Sequence, residues 1–386
     1  MRASFILASA LAVLVMSGRG YGQTSTRPPS LYEGARSALS DAVVQGKVGS
    51  AVGLVARGDR ILLLNAVGDI EPGEPMPVNA IARIASIQKP ITAAAVLILY
   101  ERGQLDLRDP VSRWIPDFGR RVLTARGDTV PAARSPTVLD LLTHEAGLVP
   151  EGPELDALWD VATTQEFARR IGSIPLRFQP GSRFDYGCCG SAYEVLAAIV
   201  EQVSGQSFKD FLTANVLRPL GMWDTYFFVP EAKLHRLAAQ YGRGPDGALT
   251  VARHRGQEEP ENSFYSGGGG LRSTVLDFYR FAVMLQRGGE LDGVRLLKPE
   301  TVRMMVSDQV GPMYPEVGYG WGFGVRVKTT GSGRGSYGWN GGTGTRFEVD
   351  PESGLIAIVF VPTRPGTPGV SQVRNEFVSR AIAAGR

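Results

Sequence analysis

Cysteine is nearly absent from this 386-residue chain, and the two present, Cys188 and Cys189, are neighbours. An adjacent pair closes almost no loop, so disulfides are excluded as a source of stability. Both are expected as thiols, although an exported protein meets oxidising conditions. Histidine is scarce too. His144, His235 and His254 lie far apart without ligand spacing, which leaves no zinc site to expect. Excess charge is missing: the formal net charge is +3, and removing Arg2 and Arg19 with residues 1–22 takes it to +1. That is no footprint for nucleic acid. Long apolar runs are missing after the N-terminus, so nothing later is long enough to cross a bilayer.

The N-terminal run, FILASALAVLVM, follows Arg2 and precedes small residues at Gly20 and Gly22. This is the pattern of a signal peptide over 1–22, too short for a span. The remaining 23–386 is expected to be exported and free of stable membrane insertion. The periplasm is the first location to expect and the extracellular medium the alternative. The 48 glycines and 25 prolines show no repeat period, so they mean turns and loops. An apolar fraction of 43% supports a sizeable core. The length fits one large domain or two interwoven parts.

Residues 30–47 read as a helix, and AVGLVARGDRILLLNAVG as a hairpin turning at Arg57, Gly58 and Asp59. The stretch 68–82 reads as loop. A helix apolar nearly all round follows from Ser86 to about Tyr100, with Pro90 in its first turn and Gly103 after its end. Short helices and Pro/Gly-rich loops fill 105–300. They include 191–205, 207–217 and a helix opened by a capping box of Thr274 and Asp277. After about 317, YGWGFGVRV, GRGSYGWN, TRFEVD and LIAIVFVP read as strands, and a last helix spans about 370–384. Strands at both ends and helices between them predict an α+β fold. One antiparallel sheet is built from both termini and flanked by helices, with a mostly helical inserted subdomain. The α/β part takes 23–104 and 301–386, the helical part 105–300, and a ligand cleft falls at their junction.

Ser86 and Lys89 stand three apart at the mouth of the buried helix, so they can share a face. The helix N-terminus offers free N–H groups and a positive dipole end. There the Ser86 N–H can hold an oxyanion and the amine can stay within reach of the hydroxyl. A lysine has an ordinary pKa of about 10.4, so desolvation and a positive neighbourhood must make it a usable base. The plainer reading is that Ser86 caps the helix and Lys89 reaches to solvent, since Ser-x-x-Lys is a short pattern.

RIASIQKPITAAAVLILYERGQLDLRDPV resembles the nucleophile region of the serine beta-lactamase and penicillin-binding-protein superfamily. The likeness runs on in order through PTVLDLLTHEAGL, FQPGSRFDYG, EQVSG, LRPLGMWDTYF, SGGGGLRSTVLDFYRF and GWNGGTGTRFEVDP, covering nearly all of 30–385. It is closest to the class-C-like branch and to its beta-lactamase-related carboxylesterases of the family VIII type. The resemblance implies a beta-lactamase/transpeptidase-like fold with Ser86 as nucleophile. The family's Tyr-x-Asn element falls on Tyr186-Gly187-Cys188. Tyr186 becomes a proton shuttle, and Cys188 replaces an amide that usually orients substrate. The Lys-Thr-Gly or His-x-Gly element falls on Trp339-Asn340-Gly341, so a cation that would meet a substrate carboxylate is lost and Trp339 packs the substrate instead. Gly341 and Gly342 let the strand edge come close, Gly342 N–H is the second oxyanion donor beside that of Ser86, and Ser266 belongs to a cleft-side loop.

These expectations add up to a secreted serine hydrolase, a carboxylesterase taking a small uncharged acyl substrate without metal or organic cofactor. Beta-lactamase or D,D-peptidase activity is the first alternative. Hydrolysis or transacylation of an amide, lactone or natural product is another. A silent binding module is the non-enzyme alternative.

Overall fold

The computed structural model describes residues 31–116, 118–258 and 261–386, with the backbone alone at Cys188 and Cys189. The expected signal peptide at 1–22 lies outside the described residues.

Helix α1 (Glu33–Val44) leads into strands β1 (Ser50–Arg57) and β2 (Arg60–Glu71), joined by the tight turn at Gly58 and Asp59. Strand β2 extends into the stretch expected as loop and pairs with a two-residue β3 (Glu74–Pro75). The C-terminal strands are β4 (Tyr319–Trp321), β5 (Arg326–Lys328), β6 (Tyr337–Asn340), β7 (Thr345–Asp350) and β8 (Leu355–Phe360). They join the first three in one antiparallel sheet of order β4-β5-β6-β7-β8-β1-β2-β3. The two chain ends meet at the β1–β8 seam, where Val52 faces Phe360 and Arg57 faces Leu355.

Strand β8 is buried along its whole length, which explains its unbroken apolar run. Leu355, Ala357 and Val359 point to one face and pack with α1 and the last helix, α5 (Val370–Gly385). Ile356, Ile358 and Phe360 point to the other face, into the larger core. That core holds α2 (Lys89–Glu101), α3 (Ala192–Ser204) and α4 (Val275–Gln286). Residues 89–99 of α2 are all buried, as their all-round apolarity requires.

Two details differ from expectation. Helix α4 packs on the sheet, with Phe278 4.9 Å from Phe347 between ring centroids and Tyr279 Oη bonded to Gly58 O at 2.8 Å. It therefore belongs with the α/β part although it precedes residue 301. Its cap is also only half of the expected box. Thr274 Oγ1 accepts from Asp277 N at 3.0 Å, but the Asp277 carboxylate turns to Asp224 N and Thr225 Oγ1.

Candidate active site

The segment before α2 is strapped from two sides. Ala82–Arg83 pairs with Arg272–Ser273, and Ile84 N donates to Leu271 O at 3.0 Å. From the sheet, Thr343 Oγ1 donates to Arg83 O at 2.6 Å and Thr345 Oγ1 to Ile84 O at 2.7 Å. These straps hold Ala85 at φ 48°, a left-handed conformation that costs an L-residue roughly 1–3 kcal/mol. The strain sits directly before Ser86. A 3-10 turn over Ala85–Gln88 then feeds α2, with Pro90 in its first turn.

Lys89 is 3% exposed, and its Nζ lies 3.0 Å from Ser86 Oγ and 3.1 Å from Gly268 O. The amine therefore bridges the hydroxyl and one carbonyl of the loop at 266–270. That loop is bound to the 3-10 turn and α2 by Gln88 Nε2 to Ser266 O at 2.6 Å, Thr92 Oγ1 to Gly267 O at 2.6 Å and Leu271 N to Gln88 Oε1 at 2.7 Å. On its far side stands Glu194, in the first turn of α3. Its carboxylate accepts from Ser266 Oγ, Gly267 N and Gly268 N at 2.9, 2.6 and 3.1 Å. Burial pushes the Glu194 carboxyl above its ordinary range; the Ser266 hydrogen bond and the Lys89 charge pull it back.

Tyr186 opens a one-turn helix, Tyr186–Cys189. Its ring stands beside Lys89, with Nζ 5.4 Å from the ring centroid. Its hydroxyl accepts from Trp339 Nε1 at 3.1 Å. His144, Trp321 and Trp339 surround the ring, with centroids 4.7, 5.7 and 4.9 Å away.

Strand β6 ends beside the nucleophile. A Cβ on Gly341 would lie 2.0 Å from Thr345 Oγ1 and 2.4 Å from Ile84 O, so only glycine allows this approach. The same expectation fails at Gly342, where the nearest atom to a Cβ is 3.9 Å away. Behind the edge, Arg374 of α5 donates to Gly341 O at 2.7 Å. Arg346 does not reach the cleft, because Glu348 and Asn375 hold it.

A cleft of about 700 Å³ lies between sheet edge and helical part. Ser86, Lys89, Tyr186, Ser266, Trp339, Gly341 and Gly342 all line it, so the structure gathers seven expected positions in one place. The eighth, Cys188, has its backbone in the Tyr186 turn, and its side chain lies outside the described residues. Trp159 also lines the cleft, whereas Trp321 is fully buried behind Trp339. Sequence reasoning missed Glu194, Gln88 and Arg374. A weak signal for Glu194 existed: it stands seven residues before Glu201, and both acids interrupt an otherwise apolar helix.

The arrangement suits acyl transfer. A nucleophilic hydroxyl touches an amine at a helix mouth, a phenol ring stands beside the amine in the same cleft, and a glycine edge brings backbone donors near. Comparison with known proteins agrees. The family model described as Beta-lactamase matches residues 35–380. Protein Rv1367c of Mycobacterium tuberculosis (strain ATCC 25618 / H37Rv) is 32% identical, covering 91% of this chain and 98% of its own length. Esterase EstB of Burkholderia gladioli is 34% identical over 63% of this chain and 67% of its own. Among solved structures, EstCE1, described as a hydrolase with promiscuous acyltransferase activity, superposes with TM-score 0.75 at 25% identity. It covers 90% of this chain and 98% of that one.

Proposed function

The chain belongs to the beta-lactamase family of serine hydrolases, and we propose that within it the chain acts as a carboxylesterase on small uncharged esters. The observation that carries the proposal is the 3.0 Å contact between Lys89 Nζ and Ser86 Oγ inside a cleft walled by Trp339. Ser86 Oγ attacks the ester carbonyl carbon and passes its proton to Lys89, with Tyr186 sharing it. The oxyanion is held by the N–H groups of Ser86 and Gly342. The bond to the alcohol oxygen breaks, and the alcohol leaves with a proton from Tyr186 and Lys89. Water then adds to the acyl-enzyme, giving its proton to the same pair, and the acid leaves as Ser86 recovers its hydrogen. Trp339 favours uncharged substrates because it stands where a cation would meet a carboxylate. The 34% identity to an enzyme named an esterase supports the same choice.

One observation favours a second reading. Arg374 brings a guanidinium to the cleft wall, so a carboxylate-bearing beta-lactam or D-alanyl peptide also finds a cation there. Turnover of a short-chain aryl ester is the deciding measurement. Ser86→Ala is expected to abolish it together with the covalent adduct formed by a fluorophosphonate. Undiminished turnover in that variant removes the assignment, and rapid, stable labelling by penicillin favours the second reading.

A further inference from the structure

Glu194 is a buried carboxylate that the reaction as written does not use. It is 3% exposed, and among the described residues no arginine or lysine forms an ion pair with it. A buried charge is costly unless donors satisfy it. Here the donors are a hydroxyl and two consecutive backbone N–H groups of one loop, at 2.9, 2.6 and 3.1 Å. The start of α3 adds a favourable dipole. The fit leaves no slack: a Cβ on Gly268 would lie 2.6 Å from Glu194 Oε1.

The peptide held in this way is the one that faces the base. Gly268 donates its N–H to Glu194 and presents its carbonyl to Lys89 Nζ at 3.1 Å. A neutral amine has two N–H groups and one lone pair. If the Gly268 carbonyl takes one N–H, rotation of the amine is stopped, and the lone pair can be aimed at the Ser86 hydroxyl 3.0 Å away. The remaining ties of the loop, through Gln88 and Thr92, come from the turn and helix that also carry Ser86 and Lys89. Glu194 is the tie from the opposite helix.

We propose that Glu194 is a positioning residue: by gripping Ser266, Gly267 and Gly268 it orients the Gly268 carbonyl that aims the Lys89 lone pair at Ser86. The inference rests on the acyl-transfer reading of Ser86 and Lys89. Glutamine at this place keeps size and polarity but presents N–H groups to a loop that offers N–H groups, so the peptide must move. A misplacement near 1 Å lowers a rate by about 100-fold.

The test measures kcat and KM for a short-chain aryl ester, the fluorophosphonate labelling rate and the melting temperature, on wild type, Glu194→Gln and Glu194→Asp. Wild type must turn over and be labelled at Ser86; if it is not, the acyl-transfer reading itself fails and the inference falls with it. With an active wild type, Glu194→Gln is expected to stay folded and lose about 100-fold in kcat and labelling rate, with KM changed less than threefold. Glu194→Asp, which keeps an acceptor-only group, is expected to recover at least tenfold of that loss. A folded Glu194→Gln with kcat within threefold of wild type overturns the proposal, as does a loss carried by KM alone or a Glu194→Asp no better than glutamine. If Glu194→Gln does not fold, Ser266→Ala is measured instead, because it deletes one of the three contacts. It is expected to lower kcat several-fold at constant KM, and unchanged kcat overturns the proposal.

Discussion

Gly341→Ala tests how closely the sheet edge must approach the nucleophile. The added Cβ would fall 2.4 Å from Ile84 O and 2.0 Å from Thr345 Oγ1. An ordinary carbon–oxygen contact is about 3.3 Å or longer, so the edge and the Ile84 carbonyl must part by roughly 1 Å. Neither neighbour can simply step aside. Ile84 O is backbone, two residues before Ser86, and Thr345 Oγ1 already donates to it at 2.7 Å. Overpacking of this kind costs roughly 1–3 kcal/mol. A 1 Å shift between Ser86 and the Gly342 N–H should lower kcat by about 100-fold. Thermal melting and aryl-ester kinetics read the two effects, and Gly342→Ala is the control for stability. At Gly342 the nearest atom to the new methyl is 3.9 Å away, so its melting temperature should match wild type. Wild-type melting and kcat in Gly341→Ala would refute the close approach, and with it the placing of the oxyanion donor at this edge.

Trp339→Lys is expected to shift the kcat/KM ratio toward esters carrying a carboxylate, measured on matched neutral and anionic pairs; a flat ratio rejects the selectivity argument. Trp339→Phe should keep KM for apolar esters and lower kcat, because it deletes the donor to Tyr186 while keeping a ring; equal kcat would show that this hydrogen bond is idle. Asp277 supplies a pH prediction: burial pushes its carboxyl up to about 6, against the Asp224 N–H and Thr225 hydroxyl that favour the ionised form. The unfolded carboxyl titrates near ~3.9, so from about 6 down to about 4 the folded state holds a proton that the unfolded state has released, and stability rises as pH falls. Asp277→Asn should therefore gain less in melting temperature than wild type between pH 7 and 5, and parallel curves would refute it.

The sheet was readable because its strands carry their own signals. β7 alternates, β8 is apolar throughout, and glycine or a Pro-Glu-Ser-Gly turn separates neighbours. Ser86 and Lys89 were readable because i and i+3 spacing at a helix mouth is a local property. Tyr186 and Trp339 are different. They lie 153 residues apart and meet only through packing, so resemblance alone pointed to them. Glu194 gave only a weak signal for a further reason: an acid in an amphipathic helix normally marks the solvent face. What buries this one is a loop 72 to 74 residues further on, whose N–H groups no pattern in α3 can reveal. The placing of α4 on the sheet was missed likewise, because it is decided by partners distant in sequence.

Trp339 also changes what the loss of a cation means. Read as sequence, Trp339 removes a positive charge from the strand edge. In the structure the indole N–H still donates to the Tyr186 hydroxyl at 3.1 Å, so the hydrogen bond is present and only the charge is missing. A neutral donor stabilises a phenolate less than an ammonium would. The Tyr186 oxygen thus accepts from the indole on one side, and the residue lines the same cleft as Ser86 and Lys89. In the proposed reaction, the residue that replaces a carboxylate-binding cation therefore still hydrogen-bonds the phenol that would protonate the alkoxide leaving group.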